Sequence, residues 1–146
     1  MDQRIVLLSD TPLDLATLLR PPTCGECGGV ASFVGCVRHE QRDGRILRAL
    51  EYSGYRAMVE RLFEELAAEA AARDGALVVR IAHRLGVVSI GEPSILVVVG
   101  TPHRAEAFEA CRRIVERVKA DAPLFKRELW EDGGSSWQHD VAEPKT

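Results

Sequence analysis

The sequence predicts an α+β fold. Three observations carry that expectation. Two long segments repeat apolar residues at intervals of three and four, the period of a helix with one buried face. Several short segments are rich in β-branched and apolar residues, and turn signals separate them at hairpin distances. Hairpin-like strand pairs favour antiparallel ladders over a doubly wound parallel sheet. The chain has 146 residues without internal repeat or dividing linker, so one domain over 1–146 is expected.

Residues 4–9 (RIVLLS) read as a short buried strand. Thr11, Pro12 and Asp14 then read as a helix cap, a first-turn proline and a first-turn acid, with the helix reaching about residue 19. Residues 20–28 form a loop by their Pro and Gly content, and it holds a Cys-x-x-Cys pair, Cys24 and Cys27. A strand follows over 29–38. The polar run to Asp43-Gly44 marks a turn, and a second strand over 46–52 places Ile46, Leu50 and Tyr52 on one face. These two strands are expected to form a hairpin with a mobile tip.

The clearest helix spans 55–73, with Met58, Val59, Leu62, Phe63, Leu66, Ala67 and Ala70 as its core stripe. Strands are expected over 77–85 and 94–100, with Gly91-Glu92-Pro93 turning the chain between them. A second long helix spans 104–121, its apolar face being Phe108, Cys111, Ile114, Val115 and Val118, and Pro123 stops it. A strand over 124–130 and an acidic glycine turn lead to Trp137 and a short tail from residue 138.

Charge and composition exclude several classes. The formal charge of −3 argues against binding a nucleic-acid backbone. No apolar run is long enough to span a membrane, and residues 1–4 lack a secretory leader pattern. Four unevenly spaced cysteines do not make a secreted disulfide scaffold, so a reducing cytoplasm is expected. Cys24 and Cys27 supply half of a tetrahedral zinc site. Cys36, His39 and His139 are conceivable further ligands, but nothing local completes a set. The plain reading is a loop with free thiols, and no metal or cofactor is expected.

The cations are more informative. Lys119 lies about 20° from Phe108 on the helical wheel, at the edge of the buried stripe rather than on the solvated face. A lysine there either snorkels to water or serves a site. Lys126 and Arg127 follow Pro123 at once. At the other end of the same helix, His103 and Arg104 oppose the helix dipole unless an anion binds there. Arg38 ends a strand of small and apolar residues.

In order along the chain, five segments resemble signatures of the molybdopterin synthase large-subunit family. They are Phe33-Val34-Gly35-Cys36-Val37-Arg38; Leu50-Glu51-Tyr52 with Tyr55 and Met58; His83-Arg84-Leu85-Gly86; His103-Arg104-Ala105-Glu106-Ala107-Phe108; and Lys119 to Glu128 around Pro123. The resemblance covers residues 29–137. It implies an α/β-hammerhead-like α+β domain with a small additional antiparallel sheet. It implies a homodimer within a heterotetramer, with a small ubiquitin-like sulfur carrier docked at each end. The carrier's C-terminal Gly-Gly thiocarboxylate would deliver two sulfurs to cyclic pyranopterin monophosphate, making this a sulfurtransferase of molybdenum cofactor biosynthesis.

The resemblance also implies roles. Lys119, Lys126 and Arg38 form the catalytic set, with Lys119 the general acid/base, partly desolvated among cations. His103, Arg104 and Arg127 join Arg38 and Lys126 in binding the substrate or its phosphate. Cys36 and Val37 contribute backbone contacts, and Glu128, two residues from Lys126 on one strand face, orients it. Phe125 stands in place of the family's usual Trp, and Ser53-Gly54 in place of Glu-Ala. Two rivals are a non-catalytic anion-binding paralogue and a phosphate-transfer enzyme. The second lacks a glycine-rich phosphate loop and a carboxylate metal cluster.

Overall fold

The computed structural model describes residues 3–138. The elements run β1 (Gln3–Ser9), α1 (Leu15–Leu18), β2 (Gly29–Cys36), β3 (Gln41–Arg42), β4 (Arg45–Gly54) and α2 (Arg56–Asp74). They continue with β5 (Val78–Arg84), β6 (Gly86–Ser89), β7 (Pro93–Thr101), α3 (Arg104–Asp121), β8 (Leu124–Trp130) and β9 (Ser135–Gln138). The α+β expectation holds. One sheet has strand order β1-β5-β7-β2, in which only β1 with β5 is parallel. The second follows β3-β4-β8-β9, with β6 paired to the other side of β4. All of its ladders are antiparallel, as expected of the additional sheet, and it has five strands.

Both long helices lie on one face of the first sheet. Val59, Phe63, Leu66, Ala67 and Ala70 of α2 join Ala107, Ala110, Cys111, Ile114 and Val118 of α3 in a core with Val79, Ile81, Val97 and Val99. That core continues into the second sheet through Leu47, Leu50, Val88 and Trp130. The alternate residues Ala82, Leu96 and Val98 meet Leu13 and Leu18 on the opposite face. Burial on both faces explains why β7 reads as a continuous apolar run.

Several expectations need correction. The strands over 29–38 and 46–52 do not pair. β2 ladders with β7, and β4 with β6 and β8. The hairpin at Asp43-Gly44 is instead the short β3–β4 pair, turned by two left-handed residues with φ of 53° and 77°. β1 is an edge strand, half exposed at Ile5 and Leu7, rather than buried. Asp14, not Thr11, caps α1, its carboxylate accepting from the Thr17 amide and hydroxyl. Met58 and Phe108 point outward, leaving the buried stripes to their neighbours. The strand β6 was not anticipated. His83-Arg84-Leu85-Gly86 carries the chain from the first sheet into the second, with Gly86 at φ 90°.

Candidate functional site

Three chain reversals converge on one cleft. The first is the end of β2. Its ladder with β7 shifts register between Gly35 and Cys36. Beyond the shift, Val37 is buried, donates to the Glu92 carbonyl at 3.0 Å and accepts from the Gly91 amide at 2.7 Å. The β6–β7 turn thus grips Val37 and sends the exposed Arg38 into the cleft. The predicted strand therefore ends at Cys36, and Arg38 sits just past it.

The second reversal joins α3 to β8. Ala122 leaves the helical conformation at ψ 132° while its amide still bonds the Val118 carbonyl. Pro123 follows, and its carbonyl lies so close to Gly54 that a Cβ there would stand 2.7 Å away. Gly54 is one of the two departures noted between the tyrosines, and here it leaves room for the Pro123 carbonyl. This bend brings Lys119, in the last turn of α3, to the same cleft as Lys126 on β8.

The third is the β8–β9 hairpin, which places Glu128 and Gln138 on the cleft wall. Glu128 is 1% exposed. It accepts from Arg42 Nη2, Ser136 Oγ and Gln138 Nε2, each at 3.0 Å. Burial alone would raise its pKa, but the bonds from Gln138, Arg42 and Ser136 outweigh burial and hold it below the ordinary glutamate value. Arg42 also pairs with Glu40.

The cleft encloses about 790 Å³, within the range of small-molecule sites. Arg38, Arg42, Lys119 and Lys126 line it, with Glu40 and Glu128 as its acids. Both acids bond Arg42. Among the described residues no carboxylate pairs with Arg38 or Lys119. The cleft is thus lined by cations, beside an apolar floor of Phe33, Val34, Leu50 and Ile95.

A smaller chamber of about 40 Å³ opens below Lys119 and Lys126 and is closed by Tyr52, His83 and Leu124. His83 is 5% exposed and stacks edge-on against Tyr52 at 4.9 Å. Its Nδ1 lies 2.8 Å from the Arg84 carbonyl, so Nδ1 carries the proton. Burial pushes its pKa down to about 4, aided by Lys126 and Lys119 and opposed by the Arg84 carbonyl. The unfolded chain therefore takes up this proton near pH 6.5 and the folded chain only near 4. Stability from this group is complete above 6.5 and declines as the pH falls to 4, by about 3 kcal/mol. Urea midpoints of wild type and His83→Gln across that window should show the loss in wild type and a flatter profile in the variant.

The remaining site residues fall elsewhere. His103 and Arg104 are exposed at the N-terminus of α3, an 18-residue helix about 27 Å long, with Lys119 near the opposite end. One copy of the chain does not bring them into the cleft. Arg127 does not line it either. It faces Glu51, with Nε bonded to the carboxylate at 3.0 Å, on the side of β8 opposite Lys126. Lys119 is exposed on the cleft wall, so the desolvation expected for it is absent. Cys36 and Val37 line the cleft as expected. Sequence reasoning missed Glu40, Arg42 and Gln138. Arg42 sat in a run read as a mobile tip, and only the Asp43-Gly44 turn signalled a short hairpin there.

Comparison with known proteins assigns the chain to a family. The family model described as MoaE protein matches residues 8–121. The chain belongs to the MoaE family. That match contains Arg38, His103, Arg104 and Lys119, and β8 follows directly after it. Among relatives of this MoaE chain is a protein of Thermoplasma volcanium named molybdopterin synthase catalytic subunit. It is 37% identical over 126 residues, which is 86% of this chain and 89% of the relative. A solved structure of molybdopterin synthase from Staphylococcus aureus superimposes with a TM-score of 0.79 at 30% identity, covering 94% of this chain and 96% of that one. A Helicobacter pylori complex of subunits 1 and 2 of molybdopterin-converting factor gives 0.75 at 27% identity, covering 94% and 90%.

Proposed function

We propose that this MoaE-family chain is the catalytic subunit of a molybdopterin synthase. In this reading it converts cyclic pyranopterin monophosphate to molybdopterin with sulfur from a thiocarboxylated carrier. The observation that carries the reading is the convergence of Arg38, Lys119 and Lys126, from three separate elements, on one cleft. A phosphorylated substrate and an anionic thiocarboxylate both call for fixed cations, and cations set on rigid elements need no reorganisation when charge arrives. The subunit complex known for the Helicobacter pylori relative supports a small partner protein.

The roles divide by position. Arg38 and Lys126 hold the substrate, with the backbone at Cys36 and Val37 shaping the wall beside them. Lys119, on the open side, meets the carrier tail and moves the proton as each carbon–sulfur bond forms. The docked tail would cover Lys119 and supply the desolvation that the open cleft lacks. Glu128 fixes the wall on which Lys126 sits. Arg127 is held by Glu51 and serves the sheet.

His103 and Arg104 remain in the reading as phosphate binders. A helix N-terminus offers unpaired amides and a positive dipole end to a compact anion. Since one copy holds this pair a helix length from Lys119, a homodimer would reconcile the two positions by supplying the pair from the second copy. Replacing both with alanine should weaken precursor binding by about 2–4 kcal/mol and leave carrier affinity nearly unchanged. Calorimetry with each ligand separately checks this, and collapse of carrier binding alone would reassign the pair.

Purified chain, thiocarboxylated carrier and precursor together should yield molybdopterin. Chain and precursor with free sulfide should not. No product from the complete mixture would overturn the reading.

A further inference from the structure

The function above leaves Cys24 and Cys27 unused. They stand in the loop between α1 and β2, as Cys24-Gly25-Glu26-Cys27. The segment is a turn, closed loosely by the Cys27 amide on the Cys24 carbonyl at 3.5 Å. A turn of this kind brings the first and fourth α-carbons within about 7 Å, and a disulfide spans 4.4–6.8 Å. The Cys24 thiol is near enough to Cys27 to raise its pKa. Each is half-buried, so a reagent can reach the turn while the backbone holds the pair together.

The turn is also anchored. Just after it, the Gly28 amide donates to the Thr101 carbonyl at 3.0 Å. Gly28 and Gly29 press so closely on Pro102 and Arg104 that a Cβ on either would stand 2.2 Å and 2.7 Å from backbone atoms. The Cys27 sulfur packs on Gly100. The dithiol therefore sits on the junction of β7 and α3, beside His103 and Arg104. The other two cysteines are differently placed: Cys36 is exposed on the cleft wall and Cys111 is buried in the core.

We propose that Cys24 and Cys27 are a reversible oxidation site that forms an intramolecular disulfide by exchange with a small soluble disulfide such as oxidised glutathione. Cys24 attacks one sulfur of the external disulfide, joins it in a mixed disulfide and releases the first small thiol. Cys27 then attacks the Cys24 sulfur, closes the ring and releases the second small thiol. Both protein thiols are oxidised, one external disulfide is reduced, and the two protons leave with the two small thiols. Burial, with the neighbouring Cys24 thiol, pushes the Cys27 thiol up to about 11. With its sulfur packed on Gly100 and its thiol raised by burial, Cys27 is the less available of the two, so the first attack falls to Cys24.

The test uses the full chain and oxidised glutathione, followed by alkylation and peptide mapping. Cys24 and Cys27 should escape alkylation together and appear as one disulfide-linked peptide lacking two hydrogens, and dithiothreitol should restore both. Cys27→Ser should instead stop at a glutathione adduct on Cys24. Cys36 should not join the intramolecular bridge, whether alkylated or glutathionylated. Full alkylation of Cys24 and Cys27 after exposure to oxidised glutathione would overturn the proposal. So would a wild-type product that stops at the mixed disulfide. Neither readout depends on synthase activity, so the proposal and the functional reading fail separately.

Discussion

Replacing Lys119 by alanine should remove measurable molybdopterin formation while the protein stays folded. Proton transfer by a positioned side chain contributes on the order of 10²–10⁴-fold to a rate. Lys119 stands at the end of α3 where the cleft opens, on the rim of the chamber closed by His83 and Tyr52. Its side chain is exposed, so truncation should change stability by no more than about 0.5 kcal/mol. Circular dichroism and urea unfolding should match wild type, and carrier docking should persist. Single-turnover assays with excess thiocarboxylated carrier measure the chemical step. Near-wild-type turnover would remove Lys119 from the acid/base role and leave it a rim cation.

Glu128→Ala should act in the opposite way, through the fold. The carboxylate is almost wholly buried and gathers Arg42 from the β3–β4 hairpin, with Ser136 and Gln138 from β9. Ser136 in turn accepts from the Trp130 indole at 3.0 Å. Removing the carboxylate leaves several donors without an acceptor, and a loss of about 2–4 kcal/mol is expected. Because its folded-state pKa is lowered, this contribution is complete above the ordinary glutamate range. It is lost as the pH falls through the lowered value. Urea unfolding at neutral pH measures the loss. An unchanged midpoint would show that the network does not hold the cleft wall.

The sequence made the long helices legible because α2 and α3 each bury one continuous stripe, and a period of 3.6 survives single exceptions such as Phe108. The strands β5, β7 and β8 were legible for the same local reason. Pairing was not. Strands over 29–38 and 46–52 are close in sequence, yet β2 finds β7 and β4 finds β8, because partner choice depends on which apolar faces meet across the core. The strand β6 has four residues and exists by its ladder with β4, a contact no local pattern encodes.

The candidate site divides similarly. The approach of Lys119 to Lys126 followed from Pro123, a local stop between a helix and a strand. Alternation along β8 puts Lys126 and Glu128 on one face, but the family resemblance grouped Arg127 with the substrate binders, and its pairing with Glu51 on the other face needed the β4–β8 register. The place of Arg38 in the cleft depends on a register shift and on the β6–β7 turn gripping Val37, neither of which the strand pattern shows. Arg42 entered the site through a hairpin whose turn was visible but whose partner, Glu128, lies 86 residues away.

The most direct test of the account follows the sulfur. Carrier bearing an isotopically labelled thiocarboxylate is mixed with this chain and cyclic pyranopterin monophosphate in buffer containing unlabelled sulfide, and the product is analysed by mass spectrometry. The account predicts the label on both dithiolene sulfurs of molybdopterin. Product carrying unlabelled sulfur at either position would contradict it.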